Sequence, residues 1–159
     1  EVHLLGGPRW KKSYETDEAL FCDEVIAHLL RRMGFDPVRK THGPTEFGRD
    51  FVFTEHTRFS TLRYYGLQAK AGSVRGGNNY EIDNILGQIT DAFTIPYEEL
   101  GREGKIYISE LIIAISGHFT DNAKKKILSR MPRGFAGSVH FWDKEKILSL
   151  ISRHWSESN

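Results

Sequence analysis

The feature that most constrains the fold is an unbroken apolar run, Leu-Ile-Ile-Ala-Ile, at residues 111–115. It has the length of a strand, and a strand that is apolar on both of its alternating faces is typical of a sheet covered on both sides. The run therefore predicts a central strand with a layer of helices on each face.

The segments around this run alternate between helical and strand patterns. Residues 16–33 carry apolar side chains at helical spacing, with Thr16 or Asp17 as the cap and Gly34 as the stop. The other predicted elements are strands at 35–38, 51–53 and 64–69, a helix at 81–95, the strand at 111–115, a helix capped by Thr120, a strand at 139–142 and a helix capped by Asp143. This order predicts an α/β fold, with a mixed β-sheet flanked by helices on both faces.

The connections carry their own signals. Residues 55–61 are polar and predict a hairpin connection, whereas residues 42–44 predict a turn and residues 97–107 a surface excursion. Residues 72–79 contain Gly-Gly-Asn-Asn and predict a flexible loop.

Size and composition indicate one globular domain. The chain has 159 residues, of which 39% are apolar and 27% charged, which suffices for a single core. We expect an N-terminal extension at residues 1–15 and one domain at residues 16–155. Because the sequence does not begin with Met, we also expect a domain excised from a longer protein.

Several classes of protein are disfavoured. The sequence has no apolar run of the ~20 residues that a membrane span needs and no signal peptide pattern. Cys22 is the single cysteine, so an internal disulfide is excluded and a cytoplasmic location is expected. The net charge of +1 neither requires nor excludes nucleic acid, since a duplex binder needs a basic face rather than a basic total.

One group of polar residues is suited to phosphodiester hydrolysis. Asp50 opens a strand after Gly43 and Gly48, glycines that would allow a substrate to approach the backbone closely. Gln68 and Lys70 are two residues apart, so they share one face of the next strand. An acid can hold Mg²⁺ beside a phosphate, and a nearby lysine can position the attacking water or stabilise negative charge. The alternative is that Asp50 is a turn residue and Lys70 a solvated lysine at a strand end.

These motifs resemble those of the PD-(D/E)XK nuclease superfamily, and within it the Mrr-like restriction endonuclease branch, which has glutamine for glutamate in its second motif. The first motif stands as Gly48-Arg49-Asp50, and the second as Gln68-Ala69-Lys70 after Tyr65-Gly66-Leu67. Residues 114–123 and 139–148 are also similar to that branch, so the resemblance covers most of residues 16–152. It implies a restriction-endonuclease-like fold with an α-β-β-β-α-β core.

The resemblance also implies roles for individual residues. Asp50 would bind Mg²⁺, or Mn²⁺ in its place, with Gln68 and the Ala69 carbonyl as further ligands and Lys70 as the catalytic lysine. The superfamily usually adds an acid from the first helix, which here is Asp23 or Glu24. On a regular helix Asp23 flanks the apolar stripe while Glu24 falls almost opposite it, and this favours Asp23.

Further residues are candidates for contacts with the substrate. Arg75 in the glycine-rich loop, together with His118 and Thr120 at a helix start, could bind DNA phosphates. Glu46 could reach the metal through water, and Gln88 could line the site. Zinc spacing, a phosphate-binding glycine loop and a Gly-x-Ser-x-Gly elbow are all absent from the sequence.

The sequence thus predicts a Mg²⁺-dependent endonuclease domain that cuts double-stranded DNA. The resemblance implies a restriction or anti-phage defence system, with a fused or associated sensor or ATPase module, and a homodimer would suit double-strand cleavage. One alternative is a DNA-binding or protein-interaction module that kept the fold and lost turnover, which glutamine in place of a carboxylate would favour. Another is a nuclease domain acting on RNA or branched DNA.

Overall fold

A computed structural model describes residues 10–41, 48–97 and 104–155. Within these residues a five-stranded sheet runs in the order β1-β2-β3-β4-β5. The strands are β1 (Val38–Lys40), β2 (Phe51–His56), β3 (Leu62–Lys70), β4 (Glu110–Ile115) and β5 (Val139–Trp142). The first three pair antiparallel, whereas β3, β4 and β5 pair parallel. The predicted mixed sheet is confirmed.

Helices cover both faces of this sheet. They are α1 (Glu18–Phe21), a π-helical turn (Cys22–Ile26), α2 (Ala27–Arg32), α3 (Asn79–Thr94), α4 (Asp121–Arg130) and α5 (Lys144–His154). The first three follow one another without a break and are called the N-terminal helix below. One core packs this helix and α5 against the sheet, and a second core packs α3 and α4 against the opposite face. Strand β4 contributes to both cores, as its unbroken apolar run predicts.

The N-terminal helix has the predicted ends but is not regular. The Asp17 side chain accepts a hydrogen bond from Leu20 N (3.1 Å), and Gly34 ends the helix with a φ of +95°. Between them the π-helical turn Cys22–Ile26 winds more widely than an α-helix. A wheel drawn at constant angle therefore misplaces the side chains beyond this turn. Trp10 and Tyr14, which precede the helix, are buried in the same core.

The first strand lies further along the chain than the predicted residues 35–38. Phe35 instead packs its ring against Phe53, with 4.7 Å between ring centroids. Asp36 N donates to Thr54 O (3.3 Å), but Pro37 has no N–H to give, and the regular ladder begins at Val38. The connection between β2 and β3 is shorter than the predicted residues 55–61, because both strands extend into this polar segment. Thr57 N donates to Thr61 O (2.8 Å) to close its turn.

Residues 72–79 were predicted to be flexible, but the structure ties this loop to the segment that follows β4. Val74 is 1% exposed and forms a parallel bridge with Phe119. The bonds between the two segments include Gly72 N to Ser116 Oγ (2.8 Å), Val74 N to His118 O (3.0 Å), Thr120 N to Val74 O (3.1 Å) and Gly76 N to Thr120 Oγ1 (2.9 Å). The glycine-rich loop thus extends the pairing of β3 with β4 beyond the sheet.

Some predictions fall on residues outside the described ranges. These are the turn at residues 42–44, with Gly43, and the candidate ligand Glu46. The surface excursion at 97–107 is described at its two ends, where Tyr97 and Ile106 form an antiparallel bridge. No helix in the described ranges is long and apolar enough to cross a membrane.

Candidate active site

The start of β2 and the end of β3 bring Asp50 and Gln68 together. Phe51 pairs with Leu67 in this antiparallel ladder, so the next positions along it are Asp50 and Gln68. Asp50 N donates to Leu67 O (2.8 Å), and Asp50 Oδ2 accepts a hydrogen bond from Ala69 N (2.7 Å). Asp50 is therefore fixed to β3 through its backbone and its carboxylate, which defines the orientation of that carboxylate.

Gln68 contributes a buried polar atom without a partner. The residue is 7% exposed, and its Oε1 is buried with no hydrogen bond among the described residues. A buried amide oxygen left unpaired costs about 1–3 kcal/mol, so such an atom calls for a ligand, ion or water. Lys70, two residues on and half-buried, shares the strand face of Gln68 at the end of β3. Leu67 and Ala69 lie on the other face of β3, in the core that packs the N-terminal helix and α5.

Arg49, which precedes the aspartate, is a structural anchor that the sequence analysis missed. It is 1% exposed, and its Nη1 donates to Ala92 O (3.0 Å) and to Ile95 O at the end of α3. Its guanidinium also lies over the Tyr97 ring, 5.4 Å from the centroid. Burial lowers the pKa of Arg49. The cation satisfies carbonyls that the helix end leaves unpaired, so it ties α3 to the segment that carries Asp50.

Glycines on both sides of this anchor make room for it. A Cβ at Gly66 would lie 2.8 Å from Ile108 Cδ1 and 3.2 Å from Arg49 Cγ. Gly48 has a φ of +78°, and a Cβ there would lie 2.2 Å from the backbone oxygen of Gln88. From the sequence, Gly48 is expected to let a substrate approach the backbone, but α3 fills that space in the structure. These glycines fix the position of Asp50 rather than opening a path to it.

The two candidate acids of the N-terminal helix point to different partners. Asp23 Oδ1 lies 2.7 Å from Lys40 Nζ, whereas Glu24 Oε1 lies 3.0 Å from Lys11 Nζ. The hydrogen bond from Lys40 to Asp23 raises the pKa of Lys40, and the negative charge of Asp50 acts in the same direction. Asp23 thus binds a cation on which the charge of Asp50 also acts, more weakly. Glu24 has its Oε2 buried without a hydrogen bond, on the side of Lys11.

Cys22 lies beside Asp50 on the buried side of the N-terminal helix. Burial is the main reason that the pKa of its thiol is raised to about 12, and the charge of Asp50 adds to it. The thiol is therefore protonated at neutral pH. In this protonated form it is a poor nucleophile, because the thiolate is the reactive species.

The donors at this position fit a hard cation that keeps much of its water. The oxygens are the Asp50 carboxylate, the unpaired Gln68 Oε1 and the Ala69 carbonyl, and Mg²⁺ is commonly held by one or two carboxylates with water. No group of three or more His, Cys, Asp or Glu side chains that could hold a metal occurs in residues 10–41, 48–97 and 104–155. A soft metal that needs nitrogen or sulfur ligands is therefore not supported by these residues.

The residues predicted to contact DNA differ in whether they are exposed and in whether they already have partners within the protein. Arg75 and His118 are exposed on the paired loops beyond β3 and β4. Thr120 Oγ1 already accepts hydrogen bonds from Gly76 N (2.9 Å) and Ala123 N (3.2 Å), so its oxygen is engaged within the protein. Gln88, half-buried on α3, has an Oε1 that is buried without a hydrogen bond.

Comparison with known proteins gives a fold and not a family. No protein-family model matches the sequence. No curated protein matches it either. Among solved structures, that of the restriction endonuclease FokI bound to DNA is similar, with a TM-score of 0.56 and 14% sequence identity. The match covers 87% of this chain and 25% of the FokI chain.

The chain has a restriction-endonuclease-like fold. The mixed sheet with helices on both faces carries this conclusion, together with the likeness to FokI. At 14% identity the likeness shows the fold alone. The chain spans a quarter of the length of the FokI chain, so the activity of a whole endonuclease does not follow from it.

Proposed function

We propose that this chain is a metal-dependent endonuclease domain that hydrolyses phosphodiester bonds in double-stranded DNA. The observation that carries the proposal is the hydrogen bond of 2.7 Å from Ala69 N to Asp50 Oδ2. It holds an acid beside Gln68 and Lys70 where β3 ends, in a fold shared with a DNA-cutting enzyme. The motif order that resembles the Mrr-like branch supports the same chemistry.

Each residue of the proposed site has a separate role in hydrolysis. Asp50, Gln68 and the Ala69 carbonyl would hold Mg²⁺ or Mn²⁺, which when bound would supply charge neutralisation at the phosphate and a more acidic water. The Ala69 amide orients the Asp50 carboxylate. The Lys70 ammonium orients the attacking water by hydrogen bonding and stabilises the negative charge that grows on the phosphate oxygens. Arg49 and Gly48 contact α3 and so hold the segment that carries this carboxylate in place.

The sequence resemblance to the Mrr-like branch suggests a role in restriction or anti-phage defence. A cutting module of a restriction or anti-phage defence system would act together with a fused or associated sensor or ATPase module. Two copies would be needed to cut both strands with one site each. Arg75 and His118, exposed on the loops beyond β3 and β4, are the basic residues that we assign to the DNA backbone.

The proposal is tested by incubating the protein with supercoiled plasmid and Mg²⁺ or Mn²⁺, with EDTA as the first control. Asp50→Asn and Lys70→Met should each lower the cleavage rate by about 100-fold or more, as loss of one group that stabilises transition-state charge does. Asp83→Asn and Lys125→Met make the same changes at exposed positions on α3 and α4, and they should cut like the unmodified protein. Equal cleavage by Lys70→Met would overturn the assignment of the lysine.

A second candidate function is a nuclease-fold module that binds DNA without cutting it. It is favoured by the lack of a third acidic ligand in the described ranges and by the pairing of Asp23 with Lys40. Gln68→Glu separates the two candidates, because a carboxylate at this position should tighten Mn²⁺ binding at a genuine metal site. Unchanged Mn²⁺ affinity, with DNA binding intact and no cleavage, would favour the binding module. RNA and branched DNA in the same assay test the remaining alternative substrates.

A further inference from the structure

Lys40 lies beside the proposed active site on the neighbouring strand. It is the last residue of β1 and pairs with Phe51, the residue after Asp50. The next residue along the chain, Thr41, donates its N–H to Asp50 O (2.9 Å). The backbone of Lys40 is thus fixed next to the segment that carries the metal-binding aspartate.

The side chain of Lys40 reaches from this strand to the N-terminal helix. Its Nζ lies 2.7 Å from Asp23 Oδ1, and the side chain of Lys40 is 35% exposed against 60% for Asp23. Ion pairs with this exposure contribute only about 0–1 kcal/mol to stability. Stabilisation of the fold therefore does not explain this contact well. What distinguishes it is that the lysine comes from the strand that pairs with the segment of Asp50, and that the charge of Asp50 also acts on its ammonium group.

We propose that Lys40 is the counter-ion of the acidic site in the metal-free protein, and that a divalent cation displaces it from Asp23. The inference rests on the proposed function, since it takes Asp23 and Asp50 as the acids that face the metal. Without a cation the two carboxylates would repel each other, and the lysine neutralises part of that charge. A divalent ion carries twice the charge of the ammonium group and can replace it. Asp23 is then released to complete the ligand set.

The proposal predicts that removing the lysine charge strengthens metal binding. Mn²⁺ binding is measured by isothermal titration calorimetry on the unmodified chain and on Lys40→Gln, which keeps most of the side-chain length. We expect Lys40→Gln to bind Mn²⁺ about three- to tenfold more tightly, the scale of one like charge removed near a half-exposed site. Lys40→Arg keeps the charge and should bind as the unmodified chain does.

Lys11→Gln is the matched control. It removes the same charge from the partner of Glu24, the neighbouring acid on the same helix, whose ion pair measures 3.0 Å. We expect Mn²⁺ affinity to stay within twofold of the unmodified value, about the scatter of such measurements on the free-energy scale. Equal tightening by Lys11→Gln would overturn the proposal in favour of a general effect of net charge.

A double variant with Asp23→Asn tests whether the lysine acts through that acid. The gain from Lys40→Gln should shrink when Asp23 is already neutral, because the contact that competes with the metal is then gone. A gain of undiminished size would contradict the proposed route. Thermal unfolding without metal gives an independent readout, since Lys40→Gln should lower the Tm of the metal-free protein and enlarge the increase caused by Mn²⁺.

The outcomes separate this inference from the proposed function. Unchanged or weaker Mn²⁺ binding by Lys40→Gln, with clear binding by the unmodified chain, overturns the inference and leaves the nuclease proposal standing. Tighter binding by Lys40→Gln in a protein that cuts no DNA supports the inference and counts against catalysis. No Mn²⁺ binding by any of the variants or the unmodified chain overturns both.

Discussion

Two regions at the same end of the sheet differ in whether their polar side-chain oxygens have hydrogen-bond partners. Where β2 begins and β3 ends, Gln68 Oε1 is buried without a hydrogen bond. In the paired loops just beyond, at residues 71–76 and 116–120, Ser116 Oγ and Thr120 Oγ1 accept hydrogen bonds from backbone amides. Because a buried polar group without a partner is costly, the unpaired oxygen favours a ligand, ion or water in the first region. In the second region these oxygens instead join the two loops to each other.

Gly48→Ala should have the largest effect, because it disturbs the close contact with α3 that supports the first region. The new Cβ would lie 2.2 Å from Gln88 O at a φ of +78°, so both overpacking and backbone strain apply. We expect the free energy of unfolding to fall by about 3–5 kcal/mol, measured by urea denaturation. Plasmid cleavage should be lost as Asp50 moves. Gly77→Ala, whose Cβ would meet nothing within 4 Å, is the control. Equal stability of the two variants would contradict the close approach of α3.

Arg49→Ala removes the anchor between α3 and the aspartate segment. It leaves the carbonyls of Ala92 and Ile95 without their cation and opens a cavity where the side chain was 1% exposed. We expect a loss of about 2–4 kcal/mol in the free energy of unfolding. Arg58→Ala, at the exposed tip of the β2–β3 hairpin, should lose almost nothing. If Arg49→Ala proved as stable as Arg58→Ala, the helix-end contact would have no energetic weight.

Thr120→Val tests the second region. It deletes the acceptor of Gly76 N and Ala123 N, so stability should fall by about 1–2 kcal/mol, the usual scale for a lost helix cap. If Thr120 only joins the loops and does not contact the substrate, the cleavage rate of the folded fraction should not change. Loss of cleavage or of DNA binding at unchanged stability would instead show that Thr120 contacts the substrate. Thr94→Val, on the exposed end of α3, serves as the control.

The last effect concerns Cys22 and is absent at neutral pH, because it appears only at high pH. Its thiol pKa is raised from 9.0 to about 12, mainly by burial. Below pH 9 the thiol is protonated in both states, and its contribution is fully present. Between pH 9 and about 12 the unfolded chain releases the proton while the folded chain keeps it, so stability falls as pH rises. Cys22→Ala should lose less stability over this interval.

Alkylation gives a second measurement on the same thiol. Native protein should resist iodoacetamide at pH 8.5, whereas the unfolded chain reacts, because the thiolate is the reactive species. The raised pKa and the burial of Cys22, which is 4% exposed, both predict this protection. Rapid labelling of the native protein would show that the N-terminal helix opens beside Asp50.

Much of the architecture could be predicted from local pattern. The apolar run at residues 111–115 indicates a strand buried on both faces, and β4 contributes to both cores. Caps at Asp17, Thr120 and Asp143 follow from side chains that accept backbone N–H bonds at helix starts. The predicted strand at residues 35–38 failed because Pro37 cannot donate to a ladder. The predicted flexible loop failed because a glycine-rich composition says nothing about the segment that pairs with it.

The sequence by itself determined the order of the elements, the helix caps and the spacing that places Gln68 and Lys70 on one strand face, because each depends on neighbours a few residues away. Tertiary structure alone decided that Arg49 anchors α3, that Gly48 accommodates the Gln88 backbone and that Lys40 pairs with Asp23. These contacts join residues 17 to 46 positions apart, so no local pattern contains them. Their partners are brought together only when the sheet and its helices pack, and it is packing that gives each charge its neighbour.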